Sequence, residues 1–170
     1  MTADYKLDAM LELRKFLWSK IVSAGIFTES NYYSDNVGST IIPIIPVQQA
    51  AEMNQFLSGK KHIVYDKIGL SYEDNWLICC EQILFTIYAT DVSEINEIRN
   101  FMTDQFRRMD NSASDLNKFA TMSNKFKFYS TVLAEISPTA PSEEIKGFLS
   151  ADVVIEIKYS RITDPVGRFL

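Results

Sequence analysis

Apolar residues recur at helical spacing in two segments of the chain. In residues 4–24 they return every three or four positions, and Gly25 suits the position just past a helix end. Later, Asp91 with Glu94 three positions on forms a capping-box pattern ahead of a second amphipathic stretch. The second apolar stripe comprises Ile95, Ile98, Phe101, Met102, Phe106 and Met109. The pattern therefore predicts an N-terminal helix and a central helix, with a short further helix over residues 112–122.

Strict alternation of apolar and polar residues marks two late segments, 125–136 and 148–162, as strands. In the first, one face is predicted to hold Phe126, Phe128, Ser130, Val132, Ala134 and Ile136. In the second, the apolar face holds Leu149, Ala151, Val153, Ile155, Ile157 and Tyr159. Residues 137–147 are a polar excursion too long for a tight hairpin turn. Residues 163–170 are expected to form a flexible tail.

Residues 76–89 are apolar on both faces of a predicted strand, which favours a central strand covered on each side. In a chain of this size, the second cover is most easily supplied by another subunit. Cys79 and Cys80 are neighbours on this strand and point to opposite faces, so they are expected to be buried free thiols rather than a disulfide.

The remaining segments complete the order of elements. Residues 41–47 (IIPIIPV) contain Pro43 and Pro46, which cannot donate to a sheet, so an edge strand or an extended segment is predicted. A linker with one helical turn is expected over residues 48–61, a short strand over 62–68 and a polar connection over 69–75. The predicted fold is one α+β domain over residues 1–170. It is a mostly antiparallel sheet with the N-terminal helix and the central helix packed on it.

Composition and charge restrict the classes of partner. A hydrophobic fraction of 46% in 170 residues is enough for a buried core, and the net charge of −5 disfavours duplex DNA as the main partner. The first residues resemble no signal peptide, and no apolar run reaches the length of a membrane span. We expect neither membrane association nor specific DNA binding.

Residue types that carry catalysis are sparse. His62 is the only histidine, which disfavours metal sites built on histidine pairs, and it is expected at the surface beside two lysines. The six glycines are scattered, and none forms a phosphate-binding loop. The sequence predicts no catalytic, cofactor-binding or metal-binding residues, and no enzyme.

Glu81 is the carboxylate that calls for an explanation, because it shares a strand face with apolar Ile83 and Phe85. A buried or interfacial salt bridge is the favoured interpretation, and a catalytic acid is the alternative. The candidate partners are Arg107, Arg108 and Arg161. Two of these end the central helix, where they either complement the helix dipole or contact a neighbouring subunit.

Aromatic residues beside lysines in the first late strand imitate a platform on which nucleic-acid bases stack. They are Phe126, Phe128 and Tyr129, next to Lys125 and Lys127. Such an alternation more often combines a core face with solvated lysines, so both interpretations stay open.

The succession of pieces from residue 62 onward resembles the tail terminator (tail completion) proteins of long-tailed bacteriophages and related neck subunits. The resemblance rests on the strand HIVYDKIG, the strand WLICCEQILFTIYATD, the helix EINEIRNFMTDQFRRMDNSASDLNKF, the strand FKFYSTVLAEI and the segment GFLSADVVIEIKYSR. An N-terminal helix followed by a proline-rich strand also fits. The likeness covers most of the chain and is one of layout, without a short diagnostic motif.

This resemblance implies a structural virion subunit of the tail or neck, assembled in the host cytoplasm. Copies would form a homo-oligomeric, usually hexameric ring that stops tail-tube growth and joins the tail to the head connector. DNA would pass through the lumen without specific binding. The resemblance supplies no contact residues. The types and positions of the residues themselves suggest six candidate residues for the subunit interface: Glu81, Arg107, Arg108, Arg161, Pro43 and Pro46.

Three alternatives remain. The first is another neck or sheath-stabilising phage subunit, and the second is a small ligand-binding regulatory α+β module with a pocket. The third is a carboxylate-dependent hydrolase, which requires Glu81 and a second acid in one pocket.

Overall fold

A computed structural model describes residues 8–27, 41–57, 59–73, 77–107, 115–118 and 126–161, without the side chains of residues 55, 56 and 107. The predicted loop at 28–40, the tail at 163–170 and Arg108 lie outside the described residues. The elements in chain order are helix α1 (Ala9–Ser23), strand β1 (Ile44–Pro46), a 3-10 turn (Val47–Gln49), helix α2 (Ala50–Leu57), strands β2 (His62–Glu73) and β3 (Ile78–Ala89), helix α3 (Val92–Arg107), and strands β4 (Phe126–Ile136), β5 (Ala140–Pro141) and β6 (Leu149–Arg161). Residues 115–118 are also helical.

The strands form one sheet in the order β1-β2-β3-β6-β4, with β5 pairing β6 beyond the end of β4. β1 runs parallel to β2, and every other pairing is antiparallel. The predicted α+β fold with a mostly antiparallel sheet is therefore confirmed. β3 lies in the middle of the sheet, as its apolar composition predicts, and β1 is an edge strand, as its prolines predict.

Both long helices pack on the same face of the sheet, here called the inner face. The inner side chains of β3 and β6, Ile83, Phe85, Ile87, Val153, Ile155 and Ile157, are completely buried there. The apolar stripes of α1 and α3 belong to the same core. Among the described residues, no helix combines the length and the apolar character that crossing a membrane requires.

Local capping sets where the helices begin. α1 starts at Ala9 because Asp8 is extended and its side chain accepts a hydrogen bond of 2.9 Å from the Met10 amide. Asp8 is not helical, so the helix begins after the predicted start at about residue 4, and residues 4–7 lie outside the described residues. At α3 the predicted cap is present, since Asp91 accepts from the Ser93 amide at 2.9 Å.

Between β1 and β3 the structure departs from two predictions. The expected linker contains more helix than the one predicted turn, namely the 3-10 turn Val47–Gln49 and the two-turn helix α2. The expected polar connection after residue 68 is instead the second half of β2, because a register shift between Lys67 and Gly69 restores pairing as far as Glu73. One extra residue in a strand is accommodated as a bulge, which interrupts the alternation that sequence patterns rely on.

β4 also contains register shifts, one between Phe128 and Ser130 and one between Leu133 and Glu135. The first reverses which side chains face the core, so Thr131 is fully buried and Val132 is exposed. The predicted single face running from residue 126 to residue 136 is therefore wrong beyond Phe128.

The polar segment after β4, residues 137–147, packs back onto the sheet. Arg99 of α3 donates to the Ser137 carbonyl at 3.3 Å and to the Thr139 hydroxyl at 3.2 Å, and β5 then pairs with β6. Ile145 packs against the core. Residues 142–145 of this segment form one wall of a groove on the sheet.

Candidate functional site

Glu81 lies at the centre of a buried polar network on the inner face. Its side chain is 6% exposed, and Oε1 accepts a hydrogen bond of 2.7 Å from the Tyr159 hydroxyl. Its Oε2 lies 3.9 Å from the Lys67 ammonium, which also donates to Asp8 at 2.8 Å. The predicted buried ion pair therefore exists, but Lys67 is the partner. Arg161 is exposed at the end of β6, and the other two predicted partners, at 107 and 108, have no described side chains.

The network joins three elements. Asp8 caps α1, Lys67 lies on β2 and Glu81 on β3, so one chain of polar contacts ties the helix start to the sheet. Burial of Lys67 alone would lower its pKa, but the hydrogen bond to Asp8 and the charge of Glu81 raise it above its usual value. Burial and the bond to Glu81 raise the pKa of Tyr159 strongly, so its hydroxyl stays protonated and donates.

Replacing Tyr159 with phenylalanine removes only the hydroxyl that Glu81 binds. We expect the free energy of unfolding to fall by about 1–3 kcal/mol, because a buried carboxylate oxygen loses its partner. Urea unfolding measures the change. Tyr129→Phe is the matched control, since its ring is 44% exposed and its hydroxyl contacts only Ser160 at 3.1 Å among the partners described. Equal stability of the two variants would contradict the network.

Opposite the helices, the outer face of the sheet carries a groove of about 630 Å³. The floor consists of outward side chains of β2, β3 and β6, including Val64, Leu84 and Thr86. α2 forms one wall, and the loop at residues 142–145 forms the other. The groove walls therefore border the outer face of β3 at the end that holds Thr86 and Tyr88. Nearer the start of the strand, Gln82 on the same face is exposed. The described residues cover β3 fully on the inner face, and the cover of the outer face by another subunit stays a prediction.

Four carboxylates line the groove: Asp66, Glu143, Glu144 and Asp152. No lysine or arginine is among its described lining residues. Asp152 accepts a hydrogen bond of 2.9 Å from the Thr86 hydroxyl. Burial, together with the charges of Glu144 and Asp152, raises the pKa of Tyr88 on the groove floor. The groove therefore has a negative potential.

His62 also lines the groove, and its predicted surface position is wrong. It is 2% exposed, because its ring stacks on Tyr88 with centroids 5.2 Å apart and meets the edge of Phe148 at 5.9 Å. Its Nδ1 donates a hydrogen bond of 2.9 Å to the Lys60 carbonyl, and its Nε2 has no hydrogen-bond partner among the described residues. A strand entrance beside two lysines gave no sign of this burial.

Burial lowers the pKa of His62 in the folded state, so the unfolded chain takes up its proton first as pH falls. We expect the free energy of unfolding to decrease below about pH 6.5, by up to about 1.4 kcal/mol per pH unit. Urea unfolding at pH 7, 6 and 5.5 measures this slope. Because the chain has no other histidine, the slope should disappear in His62→Phe. A slope that persists in that variant would contradict the assignment.

The second half of β2 forms an open edge of the sheet. β1 pairs only as far as Tyr65, so no described strand lies beside residues 68–73 on that side. Ile68, Leu70 and Tyr72 are 49%, 62% and 47% exposed there. A shallow cleft of about 340 Å³ at this edge is lined by Lys67, Ile68, Gly69, Leu70 and Glu81. An extended strand edge with exposed apolar side chains is a template for pairing with another chain.

The opposite edge, β4, is open over part of its length. At Phe128 the Asn117 side chain bonds the backbone N–H and C=O at 2.8 Å each, replacing a neighbouring strand. Beyond Phe128, Val132 and Ile136 are 36% and 43% exposed. No described strand pairs with this part of β4 on the side away from β6. The two open strand edges, one on β2 and one on β4, therefore lie at opposite ends of the strand order and differ in sequence.

The structure separates the other predicted site residues. Pro43 is buried and its carbonyl accepts from the Ile63 amide at 2.8 Å, while Pro46 is half-buried beside Tyr65. Both thiols, Cys79 and Cys80, are free and buried, as predicted. The aromatic platform is not formed, because Phe126 and Phe128 are buried against Tyr159.

Comparisons with known proteins complete the description of the site. No protein-family model matches the chain, and no curated protein matches it either. Among the described residues, no group of three or more histidine, cysteine, aspartate or glutamate side chains is arranged to hold a metal ion. The groove and the two open edges are therefore interpreted from their own geometry.

Proposed function

We propose that this protein is a structural subunit of a ring at the head-proximal end of a bacteriophage tail. The observation that carries the proposal is the pair of unlike open edges on opposite sides of the sheet. One copy offers residues 68–73 of β2, and the next offers the second half of β4. A contact between two different surfaces is head-to-tail, and repeated head-to-tail contacts close into a ring when the rotation permits.

The chemistry of the two edges supports this pairing. The β2 edge presents three half-exposed apolar side chains, and the β4 edge presents Val132 and Ile136. Main-chain hydrogen bonds between the edges give affinity, and the apolar side chains that become buried add to it. The Asn117 contact at Phe128, Pro46 in β1 and Pro43 just before it disfavour pairing elsewhere and so restrict where a neighbour docks.

The ring's role is steric. A ring seated on the last layer of a tail tube covers the tube edge that the next subunit would need, and its far side is free to meet the head connector. A net charge of −5 per subunit suits a lumen through which DNA slides without adhering. The same geometry serves another neck or sheath-stabilising position, so the tail terminator assignment depends on the resemblance noted above.

The direct test combines the protein with the tail-tube protein encoded in the same genome. We expect purified protein added to polymerising tube protein to give shorter tubes, each with a ring visible at one end by negative-stain electron microscopy. The matched control is the protein carrying Leu70→Lys, which should leave tube length unchanged. Tubes of equal length with and without the protein, and without end rings, would contradict the proposal.

A second candidate function, a ligand-binding regulatory module, is favoured by one observation, the 630 Å³ groove on the outer face. It predicts a monomer or dimer that binds a small molecule. If the protein forms a ring and also binds a small molecule at the groove, the first proposal is not contradicted.

A further inference from the structure

We propose that the outer groove binds a basic segment of a partner protein, with lysine or arginine side chains spaced by aliphatic ones. The groove lies on the face that α1 and α3 leave uncovered, and none of the edge residues 68–73 or 129–136 is among its described lining residues. This binding therefore goes beyond the ring and does not depend on it.

Charge selects a cationic occupant. Two carboxylates stand on the floor, Asp66 and Asp152, and two on the loop wall, Glu143 and Glu144, without a lysine or arginine among the described lining residues. Glu143 and Glu144 are exposed, so they can reorient toward an incoming cation. Ammonium and guanidinium groups form charge-assisted hydrogen bonds with carboxylates, which are stronger than neutral ones.

The buried His62 supplies a second, independent observation. Its Nδ1 is occupied by the Lys60 carbonyl, so the neutral ring carries its proton there and Nε2 keeps a lone pair. Within the part of the chain that the structure describes, that lone pair has no partner, although His62 is only 2% exposed and lines the groove. Buried polar atoms rarely lack a partner, so this acceptor favours an occupant that brings an N–H donor, and the closed-over Nε2 is reached when the side chains around it shift.

Aliphatic side chains are interspersed among the polar ones that line the groove. Val64 and Leu84 form part of the floor, Ala50 and Ala51 keep the α2 wall low, and Ile145 faces them from the loop. A polyamine offers these side chains only its unbranched methylene linkers, which cover less apolar surface than branched aliphatic side chains do. A peptide that alternates basic and aliphatic residues satisfies both the charges and the apolar surface, so the occupant is a protein segment.

The probe is a pentapeptide of alternating lysine and leucine (KLKLK), titrated calorimetrically into the full-length protein. We expect binding that weakens as salt is added, and no binding of the same peptide with acetylated lysines. Glu143→Gln with Glu144→Gln should weaken the peptide about tenfold, as expected for two partly exposed charge pairs. Glu97→Gln with Asp104→Asn makes the same charge change on the exposed side of α3 and should leave affinity unchanged.

A spectroscopic readout follows His62 itself. Because the chain has one histidine, its ring ¹⁵N signals need no further assignment, and the Nε2 signal should move when the peptide binds. His62→Phe keeps the stacking on Tyr88 but removes the acceptor, and it should weaken binding severalfold.

Three outcomes would overturn the proposal. In the first, the peptide fails to bind the wild-type protein. In the second, both double variants weaken it equally, which indicates a general charge effect. In the third, spermine binds as tightly as the peptide, which identifies a site for small amines instead of a docking groove.

Discussion

A lysine in place of Leu70 is expected to convert the assembled protein into monomers. Leu70 is 62% exposed at the middle of the open β2 edge, so its replacement leaves the fold of one chain intact. In the proposed ring the same position is buried against a neighbouring strand. There a charged side chain loses much of its hydration, and charged side chains on strand edges oppose pairing. Light scattering coupled to size-exclusion chromatography measures the loss of mass.

The control for this variant is Asn100→Lys, which places the same charge on an exposed position of α3, outside the sheet. It should assemble like the wild-type protein. An assembly that survives Leu70→Lys unchanged would show that the β2 edge is not the contact. Unfolding curves of both variants should match the wild-type monomer within about 0.5 kcal/mol, which separates loss of contact from loss of fold.

The second large effect is expected at Phe85, whose replacement by alanine should lower the free energy of unfolding by about 3–5 kcal/mol. Phe85 is fully buried on the inner face of the central strand, with its ring 6.4 Å from that of Tyr65. Truncation removes the apolar surface and leaves a cavity that α1 and α3 cannot fill without moving.

Leu84→Ala is the matched control, because Leu84 is the neighbour on the same strand and points into the outer groove, where it is half-buried. We expect it to lose about 1 kcal/mol, since much of its side chain is already in contact with water. Urea unfolding of both variants measures the difference. Similar losses for the two would contradict a core that lies on one face of the sheet.

Periodicity predicted most of this fold, and it was wrong where a bulge intervened. The alternation in β6 matches its pairing from end to end, so Val153, Ile155 and Ile157 are buried as predicted. β4 carries the same signal, yet the shift after Phe128 places Thr131 inward. A bulge depends on the partner strand, which the alternation of a single segment does not contain.

The site was harder to predict because its contacts join distant positions. Glu81 was expected to be buried and paired, and both are correct, but its partners depend on sheet register. Tyr159 comes from β6 and Lys67 from β2, each opposite β3. Sequence alone favours arginine as the partner of Glu81. His62 shows the converse, since its burial depends on Tyr88 of β3 and on Phe148, which no local pattern indicates.

The mass of the purified wild-type protein tests the ring most directly. Native mass spectrometry over a range of concentrations should find one closed oligomer of fixed stoichiometry, a hexamer if the family resemblance holds, and Leu70→Lys should remove it. A monomer at every concentration, a dimer, or an open-ended series of lengths would contradict closure through the two sheet edges.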